Sequence, residues 1–269
     1  MPFTVSHVAV AAPLARRGLV FSALVVGSMA PDFEYFLRMT TSSHWGHTWP
    51  GVLFFSFPAA LVMLWVFHRF LKRSLLHLLP QAHRRHLEPY SGPFVFFPVA
   101  RFALIVVSLW IGILTHLMLD SCTHDYGLVV QWWPWLRTPV FRCSTQLVPV
   151  HDILQGVSSV GLGLVMLWQY WQHFMQGQAH GTRRVKTFLD CGDVLPVYLL
   201  LAVVATVMGA AYAALSVPSI HDYRTLRLFA GRAVVGGIDV ALIEAFLVGR
   251  YLLRRRVTAP IRVRREHRS

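Results

Sequence analysis

The feature that most constrains this chain is a series of long apolar runs with almost no charged side chains. A helix that crosses a membrane needs about 20 consecutive, mainly apolar residues. Four runs contain no Asp, Glu, Lys or Arg, and they are residues 49–67, 102–119, 153–174 and 194–217. A fifth run, residues 228–253, is interrupted by Arg232, Asp239 and Glu244, and Arg250 lies near its end, next to the basic tail. We therefore predict five membrane-spanning helices.

The overall composition agrees with a membrane protein rather than a soluble one. Hydrophobic residues make up 55% of the chain and charged residues only 14%, whereas soluble domains carry about 25% charged residues. This apolar content also excludes a disordered chain, a collagen-like chain and a disulfide-rich scaffold. We predict an all-α fold class, a polytopic helical membrane protein whose single helical membrane domain covers residues 1–253.

The N-terminal apolar segment, residues 8–30, is compatible with two arrangements. It could form one tilted span, or a short helical hairpin that enters the membrane from one side. Arg16 and Arg17 lie in its middle, where charged side chains need partners or must extend towards the lipid headgroups. The sequence leaves both arrangements open.

Basic residues outnumber acidic ones, with 25 Lys and Arg against 12 Asp and Glu. They occur in short tracts between the apolar runs, notably in residues 69–90, in residues 176–193 and in the basic tail, residues 254–269. If successive spans cross the membrane in alternating directions, all three tracts lie on the same side. An excess of Lys and Arg is typical of cytoplasmic loops. The pattern indicates an integral protein of a bacterial cytoplasmic membrane with a cytoplasmic C-terminus, whose partner is the lipid bilayer and not nucleic acid.

Histidines and carboxylates converge on the opposite side of this predicted topology. They are far apart in sequence, yet they fall at or beyond the outer ends of the spans, with His116 one helical turn inside. The set comprises Asp32, Glu34, His44, His47, His116, Asp120, His124, Asp125, His151, Asp152, His221 and Asp222. Ionisable residues inside a span are costly and indicate a functional site by default.

Two groups in this set have spacings that favour metal binding. His116, Asp120 and His124 are four residues apart and share one face of a continuous helix. Zn²⁺ favours imidazole nitrogen and carboxylate oxygen, and Mn²⁺ or Fe²⁺ could also use them. His44 and His47 are three residues apart, so that a short helical turn would direct both the same way.

Asp32 and Glu34 follow Pro31 in the sequence Ala-Pro-Asp-Phe-Glu-Tyr. Alternate residues of an extended segment point the same way. We therefore expect an extended segment that aims both carboxylates into the site, where they would serve as oxygen ligands or as a general base.

Several of these residues belong to segments that resemble a known family. The segments are residues 1–7, 27–36, 47–51, 112–125 and 154–159. Taken together they are similar to the bacterial integral membrane family called domain of unknown function 4184. The resemblance covers most of residues 1–165.

The layout is more remotely similar to membrane-bound metal-dependent hydrolases and to zinc-dependent phospholipase C. Position by position, that similarity implies five metal ligands: His7, Asp32, His47, His116 and Asp120. Glu34 takes the second acidic place, where Asp is usual, and the pair His44 and His47 is one residue shorter than the His-x-x-x-His pattern. His7 can join the outer cluster only if residues 8–30 form a hairpin, and the resemblance favours that arrangement.

The function expected from these observations is that of a membrane-bound metal-dependent hydrolase at the outer membrane surface. One or two divalent metal ions, zinc in the first place, would bind His116, Asp120, Asp32 and His47 and would activate water. Glu34 or Asp125 would act as general base, and His124 as proton donor or as a partner of the ligands. The substrate would be a lipid or a cell-envelope-linked ester or phosphoester.

Two alternatives remain open from the sequence. Asp239 and Glu244 in the fifth run could mark the ion path of a proton-coupled transporter or channel, although pairing with Arg232 or Arg101 would make them structural. The other alternative is a non-catalytic membrane protein with a structural metal, whose ion would keep no open coordination position.

Overall fold

The computed structural model describes residues 4–41, 45–143, 146–180, 195–217 and 219–258. The α-helices are α1 (Val8–Ala11), α2 (Phe21–Met29), α3 (Phe33–Leu37), α4 (Trp49–Gly51), α5 (Phe57–Val66), α6 (Lys72–Leu78), α7 (Gln81–Leu87), α8 (Val99–Thr123), α9 (Leu128–Trp132), α10 (Val150–His180), α11 (Leu195–Ser216) and α12 (Tyr223–Thr258). Among the described residues, strands are confined to one antiparallel hairpin of β1 (Pro139–Cys143) and β2 (Gln146–Pro149). The prediction of an all-α chain is confirmed.

Shorter helical segments extend or connect these elements. Five 3₁₀ segments lie at Thr4–His7, Ala12–Arg17, Ala30–Asp32, Glu88–Ser91 and Pro134–Arg137. Two π-helical segments, Val52–Ser56 and Phe67–Leu71, join α4, α5 and α6 into one continuous helical stretch.

Four helical stretches in the described part of the chain are long and apolar enough to cross a membrane: Trp49–Leu78, Val99–Trp132, Val150–Gly177 and Leu195–Ser216. They coincide with the four uncharged runs, and the chain is therefore a polytopic helical membrane protein. The fifth predicted span lies within α12, a continuous helix of 36 residues. This helix is not among the four stretches, and it extends through residues 254–258 into the predicted tail.

The N-terminal apolar segment is a helical hairpin and not a single span. α1 continues into the 3₁₀ segment Ala12–Arg17, and the chain then reverses at Gly18, whose φ is 87°. Glycine adopts this left-handed conformation without the steric cost that a Cβ atom would add. α2 then returns towards the start of the hairpin, so His7 and Asp32 lie at the same end of the helix bundle.

The hairpin packs against α8 through two glycines that face each other. A Cβ atom on Gly27 would lie 2.3 Å from the carbonyl oxygen of Leu109, and one on Gly112 would lie 2.4 Å from that of Leu24. Only glycines therefore allow the two backbones to approach so closely. Around this contact a buried apolar core forms from Val20, Ala23, Val26, Ala30, Val52, Ala60, Leu64, Ile105, Leu109 and Ile113.

α11 and α12 form a second pair of closely packed helices that runs along the bundle. Gly209 lies against the backbone of Ala233 and Gly237. The Tyr212 hydroxyl donates to the carbonyl of Met39 near Asp32, and the Tyr198 hydroxyl donates to the carbonyl of Leu78. We call the end of the bundle that holds Asp32 and the C-terminus of α8 the site end, and the end that holds α7 the opposite end.

Candidate metal centre

The site end brings together five side chains that are distant in sequence: His7, Asp32, His47, His116 and Asp120. His7 ends the first 3₁₀ segment and Asp32 ends the third. His116 and Asp120 lie in the last turns of α8, and His47 lies in the loop before α4. All five side chains are at least nine-tenths buried. These are the five ligands that the resemblance implies.

Two of the imidazole nitrogens lie close to each other, and each lies close to a carboxylate oxygen of both aspartates. His47 Nε2 lies 3.2 Å from His116 Nε2, 3.1 Å from Asp120 Oδ2 and 3.5 Å from Asp32 Oδ1. His116 Nε2 lies 3.3 Å from Asp120 Oδ2 and 3.6 Å from Asp32 Oδ1. Tetrahedral ligands about 2.0–2.2 Å from a zinc ion are about 3.3–3.6 Å from one another. The donor set and its spacing fit a divalent ion.

His116 presents the correct nitrogen to this position because of a backbone contact. Its Nδ1 lies 2.8 Å from the carbonyl oxygen of Ser28, to which only an N–H can donate. In the neutral ring the proton is then on Nδ1, and Nε2 carries the lone pair that a metal requires. The carbonyl of Ser28 is within reach because Gly27 and Gly112 let α2 approach α8.

Asp32 is oriented in a similar way by a hydroxyl group. The Thr4 hydroxyl donates to Asp32 Oδ2 over 2.7 Å, so that Oδ1 faces His47 and His116. Burial tends to raise the pKa of Asp32, but hydrogen bonds from His47 and Thr4 and the electrostatic effect of the nearby His116 imidazole hold it below its usual value. The carboxylate is therefore ionised and ready to accept a cation.

Two imidazoles of the cluster have opposite pKa shifts. Burial tends to lower the pKa of His47, but hydrogen bonds to the carboxylates of Asp120 and Asp32 outweigh it and raise the pKa to about 9. Burial and the electrostatic effect of the neighbouring His116 imidazole lower the pKa of His7 to about 4, although Asp120 and Asp32 act in the other direction. At neutral pH the ion-free cluster thus holds a proton on His47 and keeps His7 neutral.

His7 and Asp120 leave polar atoms without partners. The ring of His7 stacks on that of His116, with centroids 3.9 Å apart. Among the described residues, neither nitrogen of His7 has a hydrogen-bond partner, and the same holds for Asp120 Oδ1, which lies 3.7 Å from His7 Nε2. A buried polar group without a partner costs about 1–3 kcal/mol. These atoms indicate that the cluster is built to bind something further.

Glu34 lies beside the cluster but faces away from it. The expected extended segment is wrong, because Asp32 ends a 3₁₀ segment and Glu34 lies in the first turn of α3. Helical geometry turns the two side chains apart. Glu34 Oε2 accepts hydrogen bonds from the N–H groups of Trp45 and Gly46 at 2.9 and 2.8 Å, and Oε1 accepts one from Arg38 at 2.6 Å. Glu34 therefore holds the loop that carries His47.

The other two residues expected to be catalytic lie at different distances from the cluster. His124 is adjacent to it, with Nδ1 3.5 Å from Asp120 Oδ1 and with Nε2 2.8 Å from the side-chain amide of Gln155. Asp125 lies outside it, since its side chain is 72% exposed and its carboxylate is 3.0 Å from the Arg137 guanidinium. His44 lies outside the described residues.

Asp239 and Glu244, the acids of the transporter alternative, lie on α12. In the described part of the chain neither forms an ion pair with Arg232 or Arg101: Arg232 donates to the carbonyl of Ser216 at 2.8 Å, and Arg101 lies over the ring of Phe94. One carboxylate oxygen of each acid, Asp239 Oδ2 and Glu244 Oε2, is buried and has no hydrogen-bond partner. The expected structural pairing is absent.

Sequence reasoning missed the groups that position the cluster. These are the hydroxyl of Thr4, the carbonyl of Ser28, the amide of Gln155, and the hydroxyl of Ser56, which donates to the carbonyl of Gly46 at 3.0 Å. Thr4 and Gln155 lie in two of the segments that resemble the family, and this resemblance was the one sequence signal that could have identified them. No sequence signal identifies a backbone carbonyl as a partner.

The fold and the site define a polytopic helical membrane protein with a buried histidine–aspartate cluster at one end of its bundle. The sequence profile of the domain of unknown function DUF4184 matches residues 1–249, and the chain belongs to this family. The match extends well beyond the residues 1–165 expected from the motifs. Searches of curated proteins and of solved structures found no match.

Proposed function

We propose that this protein is a membrane-bound metal-dependent hydrolase. The observation that carries the proposal is a buried group of donor atoms: His47 Nε2 and His116 Nε2 lie 3.2 Å apart, and each lies 3.1–3.6 Å from Asp32 Oδ1 and Asp120 Oδ2. These residues would hold one divalent cation, with zinc preferred for this set of nitrogen and oxygen donors. Such an ion would supply water activation at neutral pH and polarisation of a phosphoryl or carbonyl oxygen.

The residues of the chain prepare the site for this chemistry. Ser28 fixes the tautomer of His116, Thr4 turns Asp32 Oδ1 inward, and Glu34 holds the loop of His47. Because these groups are held before a substrate arrives, little reorganisation accompanies the reaction. Access is from the side of His47 and His124, whose side chains are 9% and 14% exposed.

The surroundings of the site favour a substrate attached to the membrane. Exposed tryptophans lie in the segments next to the cluster, namely Trp45, Trp49, Trp132, Trp133 and Trp135. Tryptophan is enriched where a membrane protein crosses the boundary between lipid and water. The substrate class proposed here is therefore a lipid or a cell-envelope-linked ester or phosphoester. The distribution of basic residues favours the extracytoplasmic face of a bacterial cytoplasmic membrane, with the C-terminus inside.

The first test is the metal content of the detergent-purified protein, measured by inductively coupled plasma mass spectrometry. We expect stoichiometric divalent metal in the wild type and its loss in His116→Ala. His151→Ala is the matched control, because His151 is a buried histidine at the same end of the bundle but 4.0 Å from Asp125 rather than in the cluster. A folded wild type that binds no metal at saturating concentrations would overturn the proposal.

The second test is hydrolysis by the metal-loaded protein. Chromogenic phosphate monoesters, phosphate diesters and carboxylic esters with short and long acyl chains should be compared in detergent micelles. We expect turnover of at least one class that a chelator abolishes, that added metal restores and that His116→Ala lacks. Stoichiometric metal without turnover of any of them would instead favour a structural ion.

A second candidate function, proton-coupled transport, has one supporting observation. Asp239 Oδ2 and Glu244 Oε2 are buried on α12 without hydrogen-bond partners among residues 4–41, 45–143, 146–180, 195–217 and 219–258, and acids inside membrane helices often line ion paths. Proton flux into proteoliposomes that Asp239→Asn abolishes and that persists after metal removal would favour this function over hydrolysis.

A further inference from the structure

The two oxygens of Asp120 face different histidines. Oδ2 lies 3.1 Å from His47 Nε2 and 3.3 Å from His116 Nε2, as part of the four-donor group described above. Oδ1 lies 3.7 Å from His7 Nε2 and 3.5 Å from His124 Nδ1, and no described residue forms a hydrogen bond with it. One carboxylate thus contacts two separate pairs of imidazoles.

His7 is the second unusual feature of this place. Its side chain is 1% exposed, and both of its ring nitrogens lack a hydrogen-bond partner in the part of the chain that the structure describes. Buried imidazoles normally bind a donor, an acceptor or a metal, because an unsatisfied polar group is costly in a low-dielectric interior. The N-terminal hairpin therefore brings an unpaired nitrogen to the unpaired oxygen of Asp120.

His124 supplies a third donor on the same side of Asp120. The side-chain amide of Gln155 lies 2.8 Å from its Nε2. The oxygen and nitrogen of such an amide exchange places when the side chain flips. With the amide oxygen facing Nε2, the ring carries its proton there, and the lone pair of Nδ1 faces Asp120 Oδ1 at 3.5 Å and the Thr123 hydroxyl at 3.2 Å. Gln155 would then act on His124 as Ser28 acts on His116.

We propose a second divalent cation site formed by Asp120 Oδ1, His7 Nε2 and His124 Nδ1, with Asp120 bridging it to the first. This second site rests on the proposed function, because the other oxygen of the same carboxylate, Asp120 Oδ2, would bind the first ion. Each nitrogen lies 3.5 or 3.7 Å from Asp120 Oδ1, a separation that suits a pair of ligands on one ion. Paired catalytic ions are about 3.5–4 Å apart, and three protein donors leave a position open for substrate. His124 becomes a ligand in place of the proton donor expected from the sequence.

The test is the number of metal ions that the full-length, detergent-purified protein binds. Metal is first removed with a chelator, and Mn²⁺ or Zn²⁺ alone is then added to saturation and counted after desalting. We expect two ions in the wild type, one in His7→Gln and one in His124→Gln. The control His151→Gln should keep two, because His151 lies 4.0 Å from Asp125 and not in the cluster.

A spectroscopic readout separates a bridged pair from two distant ions. Two Mn²⁺ ions that share a carboxylate couple magnetically, so the wild type should give a coupled electron paramagnetic resonance spectrum. His7→Gln should give the spectrum of an isolated Mn²⁺ ion with unchanged helicity by circular dichroism. An uncoupled spectrum in a wild type that holds two ions would place the second ion elsewhere and overturn the proposal.

The outcomes for the two proposals are distinguishable. A wild type that saturates at one ion, lost in His116→Ala and kept in His7→Gln, overturns the second site and leaves the hydrolase proposal intact. A wild type that binds no ion overturns both proposals. Two ions in His7→Gln and in His124→Gln would also contradict the second site, because neither histidine would then be a ligand.

Discussion

At the scale of single residues, neighbours that never touch an ion decide the geometry of the site. The carbonyl of Ser28 selects the nitrogen that His116 presents, and the hydroxyl of Thr4 selects the oxygen that Asp32 presents. Glu34 acts one step further away, because it binds the backbone of the loop that carries His47. Partners of this kind commonly change metal affinity by about 10–100-fold when they are removed.

Replacing Glu34 tests its positioning role. In Glu34→Ala the N–H groups of Trp45 and Gly46 lose their acceptor, so His47 is held less well and metal affinity should fall by about 10–100-fold. Asp125→Ala is the control, since its exposed carboxylate lies outside the cluster, and its affinity should equal that of the wild type. Unchanged affinity in Glu34→Ala, together with lost turnover, would show instead that Glu34 is a general base.

The raised pKa of His47 predicts a proton released on metal binding. The ion-free protein holds a proton on His47 up to about pH 9, and a cation must displace it, whereas His7 is already neutral above about pH 4. Affinity for Mn²⁺ at the tighter site should therefore rise by about tenfold per pH unit from pH 7 to pH 9 and level off above that. Calorimetry in buffers of different ionisation enthalpy would count the proton, and an affinity independent of pH would contradict the assignment.

At the scale of elements, the contact between α2 and α8 joins the fold to the site. Gly27 and Gly112 bring the two backbones together, and the same approach delivers the carbonyl of Ser28 to His116. The reversal at Gly18 then places His7 at the end of the bundle that holds Asp32. Helix packing and ligand geometry therefore depend on the same small residues.

Adding one methyl group at this contact should damage stability and metal binding together. In Gly112→Ala the new Cβ would lie 2.4 Å from the carbonyl oxygen of Leu24, which should cost about 1–3 kcal/mol and shift Ser28 away from His116. Gly163→Ala on α10 is the matched control, because nothing lies within 4 Å of its Cβ position, and alanine there should stabilise the helix by about 0.5–1 kcal/mol. Thermal unfolding in detergent and metal titration would measure both effects.

If Gly112→Ala unfolded at the wild-type temperature and kept its metal affinity, the close helix contact would not position the site. Equal destabilisation in Gly163→Ala would mean that any alanine in these helices is harmful, whatever its surroundings.

At the scale of the whole molecule, the bundle has two chemically different ends. The site end gathers the histidine–aspartate cluster and the exposed tryptophans, while the opposite end carries the basic segment around α6 and α7. Tyr198 and Tyr212 attach α11 to the two ends through the carbonyls of Leu78 and Met39. An asymmetry of this kind orients a protein in a membrane.

Chemical labelling of intact cells tests the orientation. The test uses a chain whose three cysteines are replaced by serine, with Asp125→Cys at the site end or Tyr90→Cys at the opposite end. Both positions are exposed, at 72% for the Asp125 side chain and 62% for Tyr90. An impermeant maleimide should label Asp125→Cys directly and Tyr90→Cys only after permeabilisation, because basic loops stay cytoplasmic. The reverse pattern would place the site in the cytoplasm.

The sequence by itself determined the membrane class, the four apolar spans, and the shared helix face of His116 and Asp120. Hydropathy and helical periodicity are properties of neighbouring residues, so they can be read along one chain. Only the tertiary structure decided that residues 8–30 fold as a hairpin, that Glu34 turns away and that the oxygens of Asp120 face different histidines. Those outcomes depend on contacts such as Ser28 with His116, 88 residues apart, and on backbone approach between helices, which no local pattern encodes.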